Sequence, residues 1–125
     1  MSAQLVDFSF VYEMAENDAK YAYEVISLFL NTLSDGMVKL EKMINDKADF
    51  DDIRFQSHFL KSSAKLVKVN GMYDGFFRIE NMARENKGRD QMVPILESLM
   101  GIFKEAKPVL ETEVKKNKKA MKRPI

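Results

Sequence analysis

The sequence predicts an all-α fold, an antiparallel four-helix bundle with a short N-terminal helical segment, on three observations. Apolar residues recur at spacings of three and four along most of the chain, as on one face of a helix. No stretch combines strict alternation with β-branched residues over the length of a strand. The five glycines and three prolines are few and mostly late in the sequence (Gly36, Gly71, Gly75, Gly88, Gly101; Pro94, Pro108, Pro124).

Taken in order, Phe8 to Glu16 reads as a short helix or turn packed across the bundle. From Asp18 the positions Ala22, Val25, Phe29, Leu33, Met37, Leu40 and Ile44 form one stripe. Its phase holds through Ser34, Asp35 and Gly36, which leaves two descriptions open: one long helix bent near Gly36, or two nearly collinear helices capped by Ser34 or Asp35. After a break at Asn45 to Asp49, Asp49 or Asp51 suits an N-cap, with further acid in the first turn where the helix dipole favours it. The helix that follows is expected to reach about Val67. Its inward stripe is Ile53, Gln56, Ser57, Leu60, Ser63, Ala64 and Val67, small enough in the middle to let another helix approach closely. A turn at Asn70 and Gly71 leads to a segment with Met72, Phe76, Ile79 and Ala83 inward, ending near Gly88, a residue suited to a left-handed cap. The last segment starts near Asp90 and carries Met92, Leu96, Leu99, Phe103, Ala106 and Leu110, and Pro108 is expected to kink it or end it early.

Composition narrows the function. The 125 residues hold no Cys and one His, which removes disulfides, thiol nucleophiles, iron–sulfur clusters and multi-histidine zinc sites. One core of this size leaves no room for a nucleotide lobe beside a substrate lobe. No apolar run approaches the roughly 20 residues that span a bilayer, and MSAQLVDFSF lacks a basic and then apolar leader, so a soluble, cytoplasmic protein is expected. The near-balance of 20 basic and 19 acidic residues hides an asymmetry: VKKNKKAMKRPI holds six basic residues and no acidic one, leaving an acidic body. The expected organisation is therefore a bundle over residues 1–113 and a basic, disordered tail over 114–125. Nucleic-acid or membrane-surface binding through these charges is a further reading, but without interleaved aromatic residues or a recognition motif a disordered, solubilising end is favoured over it.

The single histidine, His58, lies one residue round from the inward Ser57, at the edge of the core face and partly exposed. Lys61, Ser62 and Lys65 follow on its stripe at three, four and seven residues. An imidazole beside two ammonium groups and a small side chain suits a nucleophile that meets a phosphoryl group. The same spacing also describes an ordinary solvated helix face. On the next helix Tyr73, Phe77, Glu80 and Arg84 form a second stripe. If the two helices are antiparallel neighbours, Glu80 and Arg84 flank His58. Glu80 then accepts a hydrogen bond from one ring nitrogen and leaves the other free for attack. The alternative is a plain Glu80–Arg84 surface ion pair. Phe55, Phe59 and Phe77 fall near the His58 ridge and are candidates for an apolar docking patch, unless some are buried against the N-terminal segment.

The run His58-Phe59-Leu60-Lys61-Ser62-Ser63-Ala64 resembles the signature of the histidine-containing phosphotransfer (HPt) domain, H-x-L-K-G-S-S. Leu28-Phe29-Leu30 is similar to the family's upstream F-L element, Asp49-Phe50 to the acidic-aromatic pair opening the histidine helix, and Ile79-Glu80 with Ala83-Arg84 to its L-E-x-x-A-R. The resemblance covers about residues 8 to 113. It implies a four-helix-bundle phosphocarrier of bacterial two-component phosphorelays. His58 would take a phosphoryl group from a response-regulator receiver domain or a hybrid histidine kinase's receiver and pass it to another receiver. Lys61 would balance phosphate charge, Glu80 would hold the ring, and Arg84 matches a position basic in some members. Mg²⁺ would come from the receiver, with no cofactor, metal or small-molecule substrate of the chain's own. Two positions depart from the pattern. Ser62 replaces the family glycine after the lysine, and Lys68 stands where a later glycine is usual, with Gly71 three residues on, so a displaced turn is expected. The rival reading is a helical adaptor that binds a receiver or kinase without being phosphorylated. A monomer is expected, since one bundle can bury every stripe.

Overall fold

The computed structural model describes residues 5–121. The chain forms β1 (Val6–Asp7), α1 (Ser9–Ala15), α2 (Ala19–Asn45), α3 (Phe50–Ser63), β2 (Lys68–Val69), α4 (Met72–Arg84) and α5 (Arg89–Met121). The fold is all-α, with α2, α3, α4 and α5 packed in a ring and α1 laid on α2. The stripes read from sequence form the core: Phe29, Leu33, Leu40, Ile53, Leu60, Phe76, Ile79, Leu99 and Leu110 are all buried. A correction of phase falls at Ile26, which is buried where Val25 is only half-buried.

The continuous phase across Ser34 to Gly36 belongs to one helix of 27 residues, about 40 Å long at the usual rise. Asp18 caps it, its carboxylate accepting from the Lys20 backbone N–H at 3.0 Å. Gly36 lies where α3 crosses: the Leu60 side chain occupies the space a Cβ would need, and Gln56 donates to the Gly36 carbonyl at 3.1 Å. Gly75 plays the same part between α4 and α5, where a Cβ would sit 2.5 Å from a Leu99 methyl.

Asp49 and the displaced turn stand where expected, while α3 and α4 end earlier than the spacing predicts. Asp49 occupies the N-cap of α3 without a side-chain cap bond, and the helix stops at Ser63, short of Val67. Residues beyond it turn into β2, which pairs antiparallel with β1 in the register Val6↔Val69 and Asp7↔Lys68. Two residues are too few to show alternation. The turn is displaced to Gly71, which holds φ 89 at the start of α4, in the left-handed region that favours glycine. At the other end α4 stops at Arg84, and Asn86 takes the left-handed conformation there, while Gly88 does so just before α5.

The largest departure is α5. It runs 33 residues through Pro94 and Pro108 to Met121, so the boundary at 113 falls inside a helix and the tail is helical to Met121; 122–125 lie outside the described residues. Pro108 neither ends the helix nor enters the core. It is exposed between the buried Ala106 and Leu110, so the Lys104 carbonyl it leaves without a donor is open to water. Beyond Leu110 the helix is held by Asn117, which is buried and donates to the Tyr12 hydroxyl at 2.8 Å and to the Glu113 carbonyl at 3.0 Å. Tyr12 in turn donates to the Glu113 carboxylate. Burial, together with that carboxylate, pushes the Tyr12 phenol up from its ordinary value. Pro108→Ala is expected to raise stability by about 1–2 kcal/mol, the restored helix geometry outweighing the more flexible unfolded chain. A higher urea midpoint at unchanged slope would register it.

Candidate functional site

The site is built between α3 and α4. Opposed contacts along the two helices, Lys65 to Tyr73, Lys61 to Phe77 and His58 to Glu80, show that they run antiparallel. The turn through Gly71 makes this possible, and the small buried Ser57, whose hydroxyl donates to the Ile53 carbonyl at 2.7 Å, keeps α3 close to its neighbours.

His58 stands at the edge of the core with its side chain 59% exposed, and its Nδ1 lies 2.7 Å from Glu80 Oε2. An ionised carboxylate only accepts, so the ring donates from Nδ1; in the neutral imidazole this tautomer leaves the lone pair on Nε2. Glu80 itself is 2% exposed and serves three cationic or donor groups. Lys61 Nζ lies 2.7 Å from Oε1, close as an ion pair though off the angle of a good hydrogen bond. Arg84 Nη2 lies 3.4 Å from Oε2, while its Nη1 donates to Asn81 at 2.8 Å. Burial pushes the Glu80 carboxyl up, and the hydrogen bonds and charges of Lys61 and His58 outweigh it, so the group sits below its ordinary value.

Lys61 is the residue whose placement differs most from expectation. Sequence spacing puts it on an exposed ridge with His58. In the structure its side chain is 11% exposed, turned inward to Glu80 across the Phe77 ring at 5.1 Å and the Tyr73 ring at 5.9 Å. Those rings stack with centroids 6.3 Å apart. Such an ammonium is held by a buried carboxylate and two π-faces and is turned away from the solvent side of the imidazole. Lys65 lies in the turn after α3, its ammonium 5.8 Å from the Tyr73 ring. Ser62 is exposed one turn beyond His58. The structure thus brings His58, Lys61, Glu80 and Arg84 together around one carboxylate, and shows no contact of Ser62 or Lys65 with the imidazole.

Phe55, Phe59 and Phe77 are 75%, 47% and 40% exposed, so none is buried against the N-terminal segment. Phe55 and Phe59 border two adjoining concavities between α2 and α3, of about 330 and 240 Å³, which share Lys39 and Gln56. Two participants escaped the sequence reading: Asn81, which steadies Arg84, and Tyr73 as a seat for both lysines. The aromatic residues one turn apart on α4 were the available sign. Among the described residues no three His, Asp or Glu side chains lie close enough to hold a metal ion, and no helix is long and apolar enough to cross a membrane.

No family model and no curated protein sequence matches the chain. Among solved structures, it is similar to a crystal structure described as that of a "putative histidine-containing phosphotransfer protein" from rice. The match has a TM-score of 0.78 at 17% identity and covers 92% of this chain and 83% of that one. Four packed helices, a short N-terminal helix and this likeness over nearly the whole chain lead to one conclusion: the protein has the fold of the histidine-containing phosphotransfer proteins.

Proposed function

We propose that the protein is a phosphocarrier, accepting a phosphoryl group on His58 from the aspartyl phosphate of a receiver domain and returning it to another receiver. The observation that carries this reading is the largely exposed imidazole whose Nδ1 is tied to a buried carboxylate, which in the neutral ring leaves Nε2 as the nucleophile. In the forward step a bond forms between Nε2 and phosphorus as the bond from phosphorus to the aspartyl oxygen breaks, and the receiver's carboxylate leaves. The ring becomes cationic, its remaining proton stays on Nδ1, and Glu80 offsets the new charge. Transfer of this kind needs in-line positioning and charge stabilisation more than covalent chemistry. In this proposal the Mg²⁺ for transfer is supplied by the receiver's acidic pocket. Phe55, Phe59 and Phe77 supply apolar contact around the imidazole, and Lys65, Ser62 and Arg84 remain at the surface near it.

The test is to incubate the protein with a phosphorylated receiver and measure acid-labile, base-stable label. Wild type is expected to take up label and His58→Gln none. A mutant labelled as well as wild type removes His58 from the role. Binding without label on either protein supports the adaptor reading instead.

A further inference from the structure

We infer that Phe77 is a positioning residue for the reaction: its ring keeps the Lys61 ammonium on Glu80, and so tunes the carboxylate that sets the form of the His58 imidazole. The inference rests on the phosphocarrier reading above and gives Phe77 a part beyond apolar contact with a partner. Phe77 lies four residues after Tyr73 and three before Glu80 on α4, so the three side chains follow one another along one side of the helix. Lys61 reaches them from α3. Its Nζ lies 5.1 Å from the centre of the Phe77 ring and 2.7 Å from Glu80 Oε1. The other oxygen of the same carboxylate, Oε2, lies 2.7 Å from His58 Nδ1. One carboxylate therefore joins the ammonium to the imidazole.

Glu80 Oε1 is buried without a well-aligned hydrogen bond, so its contact with Lys61 is one of charge, with little directional bonding to fix a flexible four-carbon side chain. A lysine head turns to water when nothing else engages it. The π-face of Phe77 engages it here, since a cation within about 6 Å of a ring centre is attracted to it, more strongly where water is excluded. Tyr73 does less: its ring is 5.9 Å from Lys61 and is shared with Lys65 at 5.8 Å. The charged groups that face Glu80 are His58 and Lys61 from α3 and Arg84 from its own helix, the last at 3.4 Å. Without the Phe77 ring the ammonium moves toward solvent, and more of the carboxylate charge falls on the imidazole. A carboxylate short of its cation favours the imidazolium, a ring with no lone pair to offer phosphorus. No bond is made or broken by Phe77 or Lys61.

The experiment phosphorylates the full chain with phosphoramidate, which needs no receiver, and in parallel with a phosphorylated receiver. The sequence has one His, so histidine label reports on His58. Phe77→Leu keeps apolar bulk and removes the π-face. It is expected to slow labelling by phosphoramidate about three- to tenfold at neutral pH, the deficit narrowing as pH rises, while Phe77→Tyr stays near wild type. Lys61→Met is expected to slow it at least as much. In the Lys61→Met background Phe77→Leu is expected to add nothing, because a residue that acts through the ammonium has nothing to act on once it is gone. The ¹³C resonance of the Glu80 carboxyl, assigned by its loss in Glu80→Gln, is expected to titrate at higher pH in Phe77→Leu than in wild type. An unchanged circular dichroism spectrum guards against misfolding. If Phe77→Leu slows receiver transfer alone and leaves the phosphoramidate rate and the carboxyl titration unchanged, the inference is overturned, with Phe77 a docking residue and His58 still the acceptor. Losses that add in the double variant also overturn it, since the ring then works independently of Lys61. Absence of label on wild type by both routes takes down this inference and the phosphocarrier reading together.

Discussion

Glu80→Leu is expected to destabilise the protein by about 3 kcal/mol and to slow phosphoryl transfer sharply, the largest combined effect short of losing His58. The substitution leaves the Lys61 ammonium in a nearly enclosed site without its counter-ion. Breaking one side of a buried pair generally costs about 3–5 kcal/mol. The lower end applies because the π-faces of Phe77 and Tyr73 remain and the lysine can swing partly into water. Glu80→Gln separates the two roles: the amide oxygen still accepts from Nδ1, but no negative charge faces Lys61. It is expected to lose stability while keeping more of the transfer rate than Glu80→Leu. Acid sensitivity follows with a definite sign. The native carboxyl ionises below its ordinary value of 4.5, so unfolding takes up a proton between the native and unfolded values. The stabilisation from the ionised form is complete above the unfolded value and is lost as pH falls through the native one. Urea midpoints at about pH 7 and about pH 3.5 should therefore converge between wild type and Glu80→Gln in acid. A constant gap at both would remove Glu80 ionisation as the cause.

Gly75→Val is expected to cost about 2–3 kcal/mol by overpacking. A side chain there would begin 2.5 Å from Leu99 Cδ2 and 2.8 Å from Leu99 Cγ, and Leu99 is itself buried. The better helix propensity of valine recovers only a few tenths of a kcal/mol, roughly, against that strain. Because Gly75 and Glu80 ride on the same helix, pushing α4 from α5 also shifts the carboxylate against His58. Leu99→Ala in the Gly75→Val background is expected to recover part of both losses. Two independent, additive losses in denaturation would show that the two residues do not meet as described.

Much of this was readable one helix at a time. The stripes through Phe29, Leu33, Leu40, Ile53, Leu60, Phe76 and Leu99 depend on a local period, and the exposed edge position of His58 follows from its phase beside Ser57. The Glu80 partner could be named because two short helices joined by a tight turn almost have to lie antiparallel. What eluded the sequence depends on a second element. Spacing gives Lys61 a direction from its own axis, but its burial is imposed by Tyr73, Phe77 and Glu80 across the groove. The helical end of α5 carried a partial sign: Leu110, Val114 and Asn117 continue the inward spacing, but an asparagine reads as core only once Tyr12 is beside it. The lysines around it look solvated, and they are, while also suiting the negative end of a helix dipole.

The pairing of β1 with β2 bears on the order in which the molecule assembles. Val6 meets Val69, and the Leu5 carbonyl accepts from the Asn70 N–H at 2.9 Å, so contacts that close the turn after the histidine helix come from the opposite end of a loop spanning half the chain. Loop closure on that scale is costly before other contacts exist, whereas the α3–α4 hairpin needs only neighbouring residues. The hairpin that holds His58 and Glu80 is therefore placed to form early, and the strand that fastens its turn to arrive late and to leave first. The turn beside the site is thus fastened by residues far from it in sequence.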